Sequence, residues 1–343
     1  MDILVTGTAG FIGSAVAKRL LERGDRVLGI DNLNDYYDVS LKQARLRPLL
    51  AHPGYTHVQA DLGDRAAIGA AFASFKPQRV VNLAAQAGVR YAAKNPHAYA
   101  ASNLVGFLHV LEGCRHHGVE HLVFSSTSSV YGANTAVPFS EHAGTAHPLT
   151  FYAATKKANE MMAHSYAHLY GIPSTGLRFF TVYGPWGRPD MAPMLFARAI
   201  RNGEPIKVFN HGRHSRSFTY IDDIVEGVVR TLDLPARPNP GWNGAEPDPA
   251  TSAAPYRIYN IGHERPVQLL HFIELLEQAF DRKAVMEMLP LQPGDVPDTE
   301  ADTSELIAAT GYAPRVSIEG GVAAFARWHR EYYPDAAAIP RHA

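Results

Sequence analysis

The chain has 343 residues, enough for one large core or two packed sub-domains, and its formal net charge of −1 gives no bulk attraction to nucleic acid or to an anionic membrane. One cysteine, Cys114, excludes an intrachain disulfide and a cysteine-based metal cluster, and the 17 histidines, His116-His117 and His211/His214 among them, have no carboxylate or thiol partners at ligand spacing, so no metal site is expected. The apolar runs fall far below the ~20 residues that span a bilayer, and strand-like Ile3-Leu4-Val5 follows the first residue with no charged leader, so the expectation is a cytoplasmic protein with a reduced thiol.

In chain order, residues 2–6 read as a short apolar strand. The loop Gly7-Thr8-Ala9-Gly10-Phe11-Ile12-Gly13 follows, then an amphipathic helix over 11–23 that Gly24 stops. In this spacing Gly7 permits a tight turn, Gly10 lets the backbone approach a pyrophosphate, and Gly13 allows close helix packing. The helix N-terminus adds donors and a favourable dipole. A second strand over 26–30 leads to Asp31, where a carboxylate accepts from the adenosine ribose hydroxyls and repels a 2′-phosphate. Asn32-Leu33-Asn34 follow with no arginine, which favours NAD over NADP; a plain turn aspartate is the other reading of Asp31.

Strands over 55–60, 79–84, 120–125 and 172–179 alternate with helices over 65–75, 99–117 and 151–170. That rhythm predicts an α/β, Rossmann-type doubly wound parallel sheet with its ligands beyond the strand C-termini. The helix over 151–170 carries Tyr152 and Lys156, four residues apart and therefore on one face. A phenol titrates near 10, so a neighbouring ammonium that favours the phenolate would make Tyr152 a usable base. An amphipathic surface pair is the bland alternative. After residue 180 the segments shorten and proline rises. This is expected of a smaller C-terminal α/β substrate-binding domain over 181–343, with 1–180 as the NAD-binding domain, parts of 216–262 rejoining it, and a mobile loop at 235–255.

Gly7–Gly13, Asp61-Leu62, Asn82-Leu83-Ala84-Ala85-Gln86, 125–132 and Tyr152/Lys156 together resemble the extended short-chain dehydrogenase/reductase family over essentially the whole chain. Ala87-Gly88-Val89-Arg90-Tyr91 and the long stretch 178–191 (Arg178 to Met191) are similar to the UDP-glucuronate 4-epimerases within it. The resemblance implies bound NAD, a UDP-sugar substrate, C4 epimerisation through a 4-keto intermediate, and a homodimer through the helices over 99–117 and 151–170. It assigns Phe11, Ile12, Asn32, Asp61, Leu62, Leu83, Ala84, Ala85, Gln86 and Asn103 to the cofactor beside Tyr152 and Lys156. Thr127 becomes the partner of the reacting hydroxyl. Arg90, Lys207, Val208, Phe209, Arg216 and Asp295 fall to the substrate; a basic residue common in the family near Gln292-Pro293 is missing.

Ser128 and Ser129 follow Thr127, where sugar dehydratases resembling this family carry an acid pair and decarboxylases usually a Glu. Neutral hydroxyls suit a substrate carboxylate, although a Ser/Thr-rich strand end that satisfies its own backbone is the alternative. Thr181 stands where UDP-galactose 4-epimerases usually have Asn, and Arg188 offers a countercharge unless it is a surface arginine. The implied activity is epimerisation of UDP-glucuronate to UDP-galacturonate. A UDP-hexose 4-epimerase, a UDP-glucuronate decarboxylase and a non-enzymatic nucleotide sensor on the same fold are the other readings.

Overall fold

The structure is a computed structural model describing residues 1–292 and 298–335. In chain order come β1 (Asp2–Thr6), α1 (Phe11–Glu22), β2 (Arg26–Asp31), α2 (Val39–Leu50), β3 (Tyr55–Gln59), α3 (Arg65–Phe75), β4 (Arg79–Asn82), the short α4 (Tyr91–Lys94) and α5 (Pro96–Tyr99), α6 (Gly106–His117), β5 (His121–Thr127), α7 (Phe151–Tyr170) and β6 (Ser174–Phe179). The second half holds β7 (Thr181–Tyr183), α8 (Ala192–Asn202), β8 (Pro205–Val208), β9 (Ser215–Arg216), β10 (Phe218–Tyr220), α9 (Ile221–Leu232), β11 (Tyr256–Ile261), β12 (Val267–Gln268), α10 (Leu269–Phe280), β13 (Val285–Met288), β14 (Asp298–Thr299), α11 (Ser304–Thr310) and α12 (Ile318–Tyr332).

Seven strands make one parallel sheet in the order β11-β6-β5-β4-β1-β2-β3. Alternation along the strands divides the core. On β1, Ile3 and Val5 join the apolar layer under α1 and α9, while Leu4 joins the layer under α3, α6 and α7. Both faces are thus covered, and the sheet is doubly wound as expected. After β6 the chain builds three small sheets, β10-β7, β12-β9-β14 and β13-β8, packed with α8, α10 and α12. No helix among the described residues is long and apolar enough to cross a membrane.

Two segments depart from the sequence expectation. The helix α2 has no counterpart in it: this helix carries Pro48, and its inward residues include Lys42 and Arg45. The single helix expected over 99–117 is α5, a π-helical turn at Ala100–Val105, and α6. Side chains enter the ladder there: Asn159 donates to the Asn103 carbonyl at 2.6 Å, and the Asn103 amide donates to Thr155 Oγ1 at 3.0 Å. Residues 235–255 form neither helix nor strand beyond a bridge of Thr251 to Arg257, yet they are cross-bonded. Asn239 N donates to the Ser252 carbonyl at 2.8 Å, and Asp248 accepts from Ala250 N at 2.9 Å and Thr251 Oγ1 at 2.7 Å.

Candidate active site

A cleft of about 430 Å³ opens at the C-terminal ends of the parallel strands, where a doubly wound sheet binds its ligands. One side is the β1–α1 turn. Gly7 has a φ of +78°, and a Cβ on Gly13 would sit 2.0 Å from the Gly7 carbonyl oxygen, so neither position accepts a side chain. No side chain caps the first turn of α1, and Gly10, Phe11, Ile12 and Gly13 line the cleft. Backbone and helix dipole therefore present an anion cradle sized for a pyrophosphate. At the end of β2, Asp31 accepts from Ala9 N and Leu33 N, each at 2.9 Å, which ties the glycine turn to the next loop and leaves oxygen lone pairs toward the cleft. Asn32, Leu62, Leu83, Ala84, Ala85 and Gln86 line it as well. These residues fit an NAD molecule.

Two expected cofactor residues sit differently. Asp61 accepts from Asn32 Nδ2 and Gly63 N, both at 2.7 Å, on the exposed rim. Asn103 is buried behind the cleft, where its oxygen accepts from Gln86 N at 2.8 Å and its amide donates to the Gln86 carbonyl at 3.1 Å. It fixes the lining backbone rather than lining the cleft itself.

Thr150 caps α7 by accepting from Ala153 N, and that start aims Tyr152 into the cleft. Thr127, the expected partner of the reacting hydroxyl, lines the same cleft beside it. The acidity of the phenol goes the other way from expectation. Burial raises the pKa, and this outweighs the nearby Arg188 charge and the Thr127 hydroxyl, both of which lower it. Lys156 does not reach the phenol; its ammonium donates to Ser125 Oγ at 3.1 Å. Burial pushes Lys156 down to about 7, against Glu160, one turn further along, which favours its charged form. Glu160 is itself held down to about 2: burial opposes the charge, but Arg178, Lys157 and Ser126 prevail. Arg178 grips it with both arms, at 2.8 and 3.0 Å.

On the sugar side, Thr127, Ser128, Ser129, Thr181 and Arg188 all line the same cleft as Tyr152. Arg188 is not a lone cation. Its Nε donates to Asp190 Oδ1 at 3.1 Å and its Nη2 to Asp190 Oδ2, while the Tyr36 hydroxyl donates to Oδ2 at 3.2 Å. Arg90 places its guanidinium 5.4 Å from the centre of the Phe209 ring, and Lys207, two residues earlier in the chain than that ring, is exposed. Val208, expected at the substrate, buries its side chain in the core, and its carbonyl accepts from Leu289 N at 2.9 Å. The alternation of β8 puts Lys207 out and Val208 in. Arg216 donates to the Ser215 carbonyl at 3.0 Å and bonds His214 Nδ1 at 3.3 Å. Asp295 lies outside the described residues.

Sequence reasoning missed the contributions of α2. Lys42 lines the cleft, with its ammonium on the Asn34 carbonyl at 2.6 Å and on Asn34 Oδ1 at 2.8 Å. Burial lowers it to about 8 in spite of nearby Asp31. Arg45 donates to the Ala9 carbonyl at 3.0 Å and to the Trp186 carbonyl at 2.7 Å, joining the glycine turn to the loop that carries Arg188. The one sequence signal for α2 is the helically spaced set Leu41, Leu46 and Leu49, all of which it buries.

The family model for the NAD dependent epimerase/dehydratase family matches residues 3–262. A Rhizobium meliloti protein named as a probable UDP-glucuronate 4-epimerase is 50% identical over 337 residues, covering 97% of this chain and 98% of its own. UDP-glucuronate 4-epimerase 2 of Arabidopsis thaliana is 46% identical, over 97% of this chain and 76% of that protein. The crystal structure of UDP-glucuronic acid 4-epimerase from Bacillus cereus, in complex with UDP-glucuronic acid and NAD, superposes with a TM-score of 0.86 at 30% identity, covering 97% of this chain and all of that one. The chain belongs to the NAD dependent epimerase/dehydratase family.

Proposed function

We propose that this member of the NAD dependent epimerase/dehydratase family converts UDP-glucuronate to UDP-galacturonate by inverting C4. The observation that carries the reading is one cleft that joins the glycine cradle, Tyr152 with Thr127, and the set Ser128, Ser129, Thr181 and Arg188, in which hydroxyls and a guanidinium stand ready for a carboxylate. Decarboxylation and neutral-hexose epimerisation fit this set less well.

Bound NAD would supply a reversible hydride acceptor for C4, so that the reaction would bring no net oxidation. The protein's own work is proton transfer and orientation. Tyr152 takes the O4 proton, and Thr127, beside it in the cleft, holds O4 in place. Burial raises the phenol's pKa here, and a cationic ring bound beside Tyr152 would act against that rise. Lys156, anchored on Ser125, holds the nicotinamide ribose and adds its field. Asp31 and Lys42 take the adenosine ribose, and Gln86 is set by Asn103. Arg90, Lys207, Phe209, Arg216 and Asp295 serve the uridine diphosphate. The sugar carboxylate, held by the hydroxyls and Arg188, stays near the plane of the C4 carbonyl. The C5–C6 bond then overlaps poorly with the π system, and carbon dioxide is not lost.

Residues 1–180, rejoined by parts of 216–262, make the cofactor unit and 181–343 the sugar unit; β11 beside β6 and α9 upon α1 support this division. A homodimer through α6 and α7 is supported by the apolar side chains those helices expose, Leu108, Met161, Leu169 and Tyr170 among them. Residence in the cytoplasm is the reading of the single buried thiol. Incubating the purified protein with UDP-glucuronate and resolving the products tests the activity; UDP-galacturonate should form without added cofactor. Denaturation should release NAD, and recovery of NADP would count against Asp31 as read here. Light scattering tests the dimer.

A further inference from the structure

A guanidinium offers a carboxylate two edges, the side-on edge of Nε and one Nη, and the end-on edge of the two Nη atoms. In Arg188 the side-on edge is already taken, by both oxygens of Asp190. Nη1 makes no hydrogen bond among the described residues, and Arg188 lines the cleft while Asp190 does not. Asp190 is in turn held by the Tyr36 hydroxyl, from the loop that follows the cofactor carboxylate Asp31. The Tyr36 ring leans on Tyr91 at 4.9 Å. The arrangement needs a glycine at position 88: φ there is +99°, and a Cβ would lie 2.7 Å from the Tyr36 hydroxyl. Three separate loops thus converge to fix one side chain. Burial opposes the Asp190 charge, but Arg188 and its hydrogen bonds hold the carboxyl below its ordinary range, so the pair stays ionised and sums to zero charge.

We infer that Asp190 and Tyr36 are positioning residues for substrate choice: they lock Arg188 by its side-on edge and present its end-on edge to a carboxylate on the sugar. The inference rests on the proposed function and adds two residues that act through Arg188. Because Asp190 offsets the charge, the cleft selects by fit to the fork rather than by bulk attraction of anions. The Asp190 charge also repels the substrate carboxylate, so tight binding is exchanged for fixed orientation. Orientation matters because a carboxylate that swings out of the C4 carbonyl plane can leave. In that event the C5–C6 bond breaks, its electron pair passes to O4, carbon dioxide departs, and C5 takes a proton from solvent to give a 4-keto pentose.

The test uses the purified protein with its bound NAD and the variants Asp190→Asn and Tyr36→Phe. Affinity for UDP-glucuronate and for UDP-glucose is measured by calorimetry, and loss of carbon dioxide by mass spectrometry. Asp190→Asn removes one charge and one acceptor atom. It should bind UDP-glucuronate about 10-fold tighter, the scale of one relieved like-charge contact several ångströms away, with UDP-glucose unchanged. The decarboxylated share of product should rise at the same time. Tyr36→Phe keeps the charge and should leave both affinities alone while raising the decarboxylated share by less. NAD content and melting temperature establish that each variant is folded, and if Asp190→Asn does not fold, Tyr36→Phe decides. Equal weakening toward both sugars in Asp190→Asn, or a wild-type product share in Tyr36→Phe, overturns the inference. Should the wild-type protein make no UDP-galacturonate, the proposed function fails on its own, and the ratio of the two affinities in Asp190→Asn still decides whether Asp190 governs Arg188.

Discussion

Two arginine–carboxylate pairs serve Tyr152, one two turns along its own helix and the other near enough for its charge to act on the phenol. In the first, Arg178 and Glu160 are 0% and 1% exposed. Ser126 and Lys157 take the remaining valences of the carboxylate, and the Tyr131 ring lies 4.9 Å from the guanidinium. In the second, Arg188 and Asp190 are 23% and 22% exposed, and the end-on edge of the arginine stays open. A closed pair has no donor to spare and can act only as a brace between α7 and β6. An open pair has spent just enough hydrogen bonds to stop moving. The same two residue types therefore do scaffold work in one place and recognition in the other, and what separates them is how many hydrogen bonds are left over.

Between the pairs stands the reacting group, and its removal should have the largest effect. Tyr152→Phe should lose turnover by about 10²–10⁴-fold, the range for a general acid–base group, while keeping NAD and both ion pairs; a near-normal rate would remove the centre of the comparison. Arg178→Met takes the two-armed partner from the buried Glu160 carboxylate, leaving it only Lys157 and Ser126, and should cost about 3–5 kcal/mol of stability in denaturant melts. The ratio of UDP-glucuronate to UDP-glucose affinity should be untouched, and a changed ratio would mean that the closed pair also recognises substrate. Arg188→Ala should do the reverse. Affinity for UDP-glucuronate should fall about 10–150-fold, the scale of a charge-assisted hydrogen bond, with UDP-glucose little affected; equal losses would place Arg188 on the nucleotide.

The smallest effect concerns Lys156. In the folded protein its ammonium gives up its proton near pH 7, whereas an unfolded chain holds it to about 10.5. Between those values the unfolded state binds more protons, so this lysine makes stability rise with pH, by at most about 1.4 kcal/mol per pH unit. Protein stripped of NAD should show that rise, and Lys156→Met should flatten it. An identical slope in both would show that Lys156 keeps its charge.

The cofactor half was legible because backbone geometry writes it. A glycine at 7 and at 13 answers a local steric demand, and Asp31 falls at the end of a strand whose position the apolar pattern fixes. Tyr152 and Lys156 were legible through helical spacing, but the destination of the Lys156 ammonium was not, because Ser125 comes from another strand. The sugar half depends on side chains that meet across long stretches of chain. Arg45 reaches carbonyls at 186 and 187, and Tyr36 meets Asp190; no local period announces either. Arg188 stands out through its surrounding motif, yet its partner two residues on does not, since that spacing has no regular structural meaning. Val208 misleads for a simpler reason: on a strand of only four residues, alternation decides which side chain faces a ligand, and it turns this one inward.

The place of β6 has a consequence for how the molecule is made. All six residues of β6 are buried, and the strand lies between β5 and β11. A ribosome that has released β6 has already released the glycine turn and the helix of Tyr152. It has yet to make α8, α9 and β11, the strand that covers β6 and becomes the final edge of the sheet. Until β11 arrives, the nascent chain carries an open apolar strand edge, the feature most apt to pair with a neighbouring chain. The nucleotide-binding half therefore cannot be finished until β7 to β10 and α8, which belong to the half that reads the sugar, have been made. A gene fragment cut after β6 would keep every residue of the cradle and still yield a sheet with one raw side.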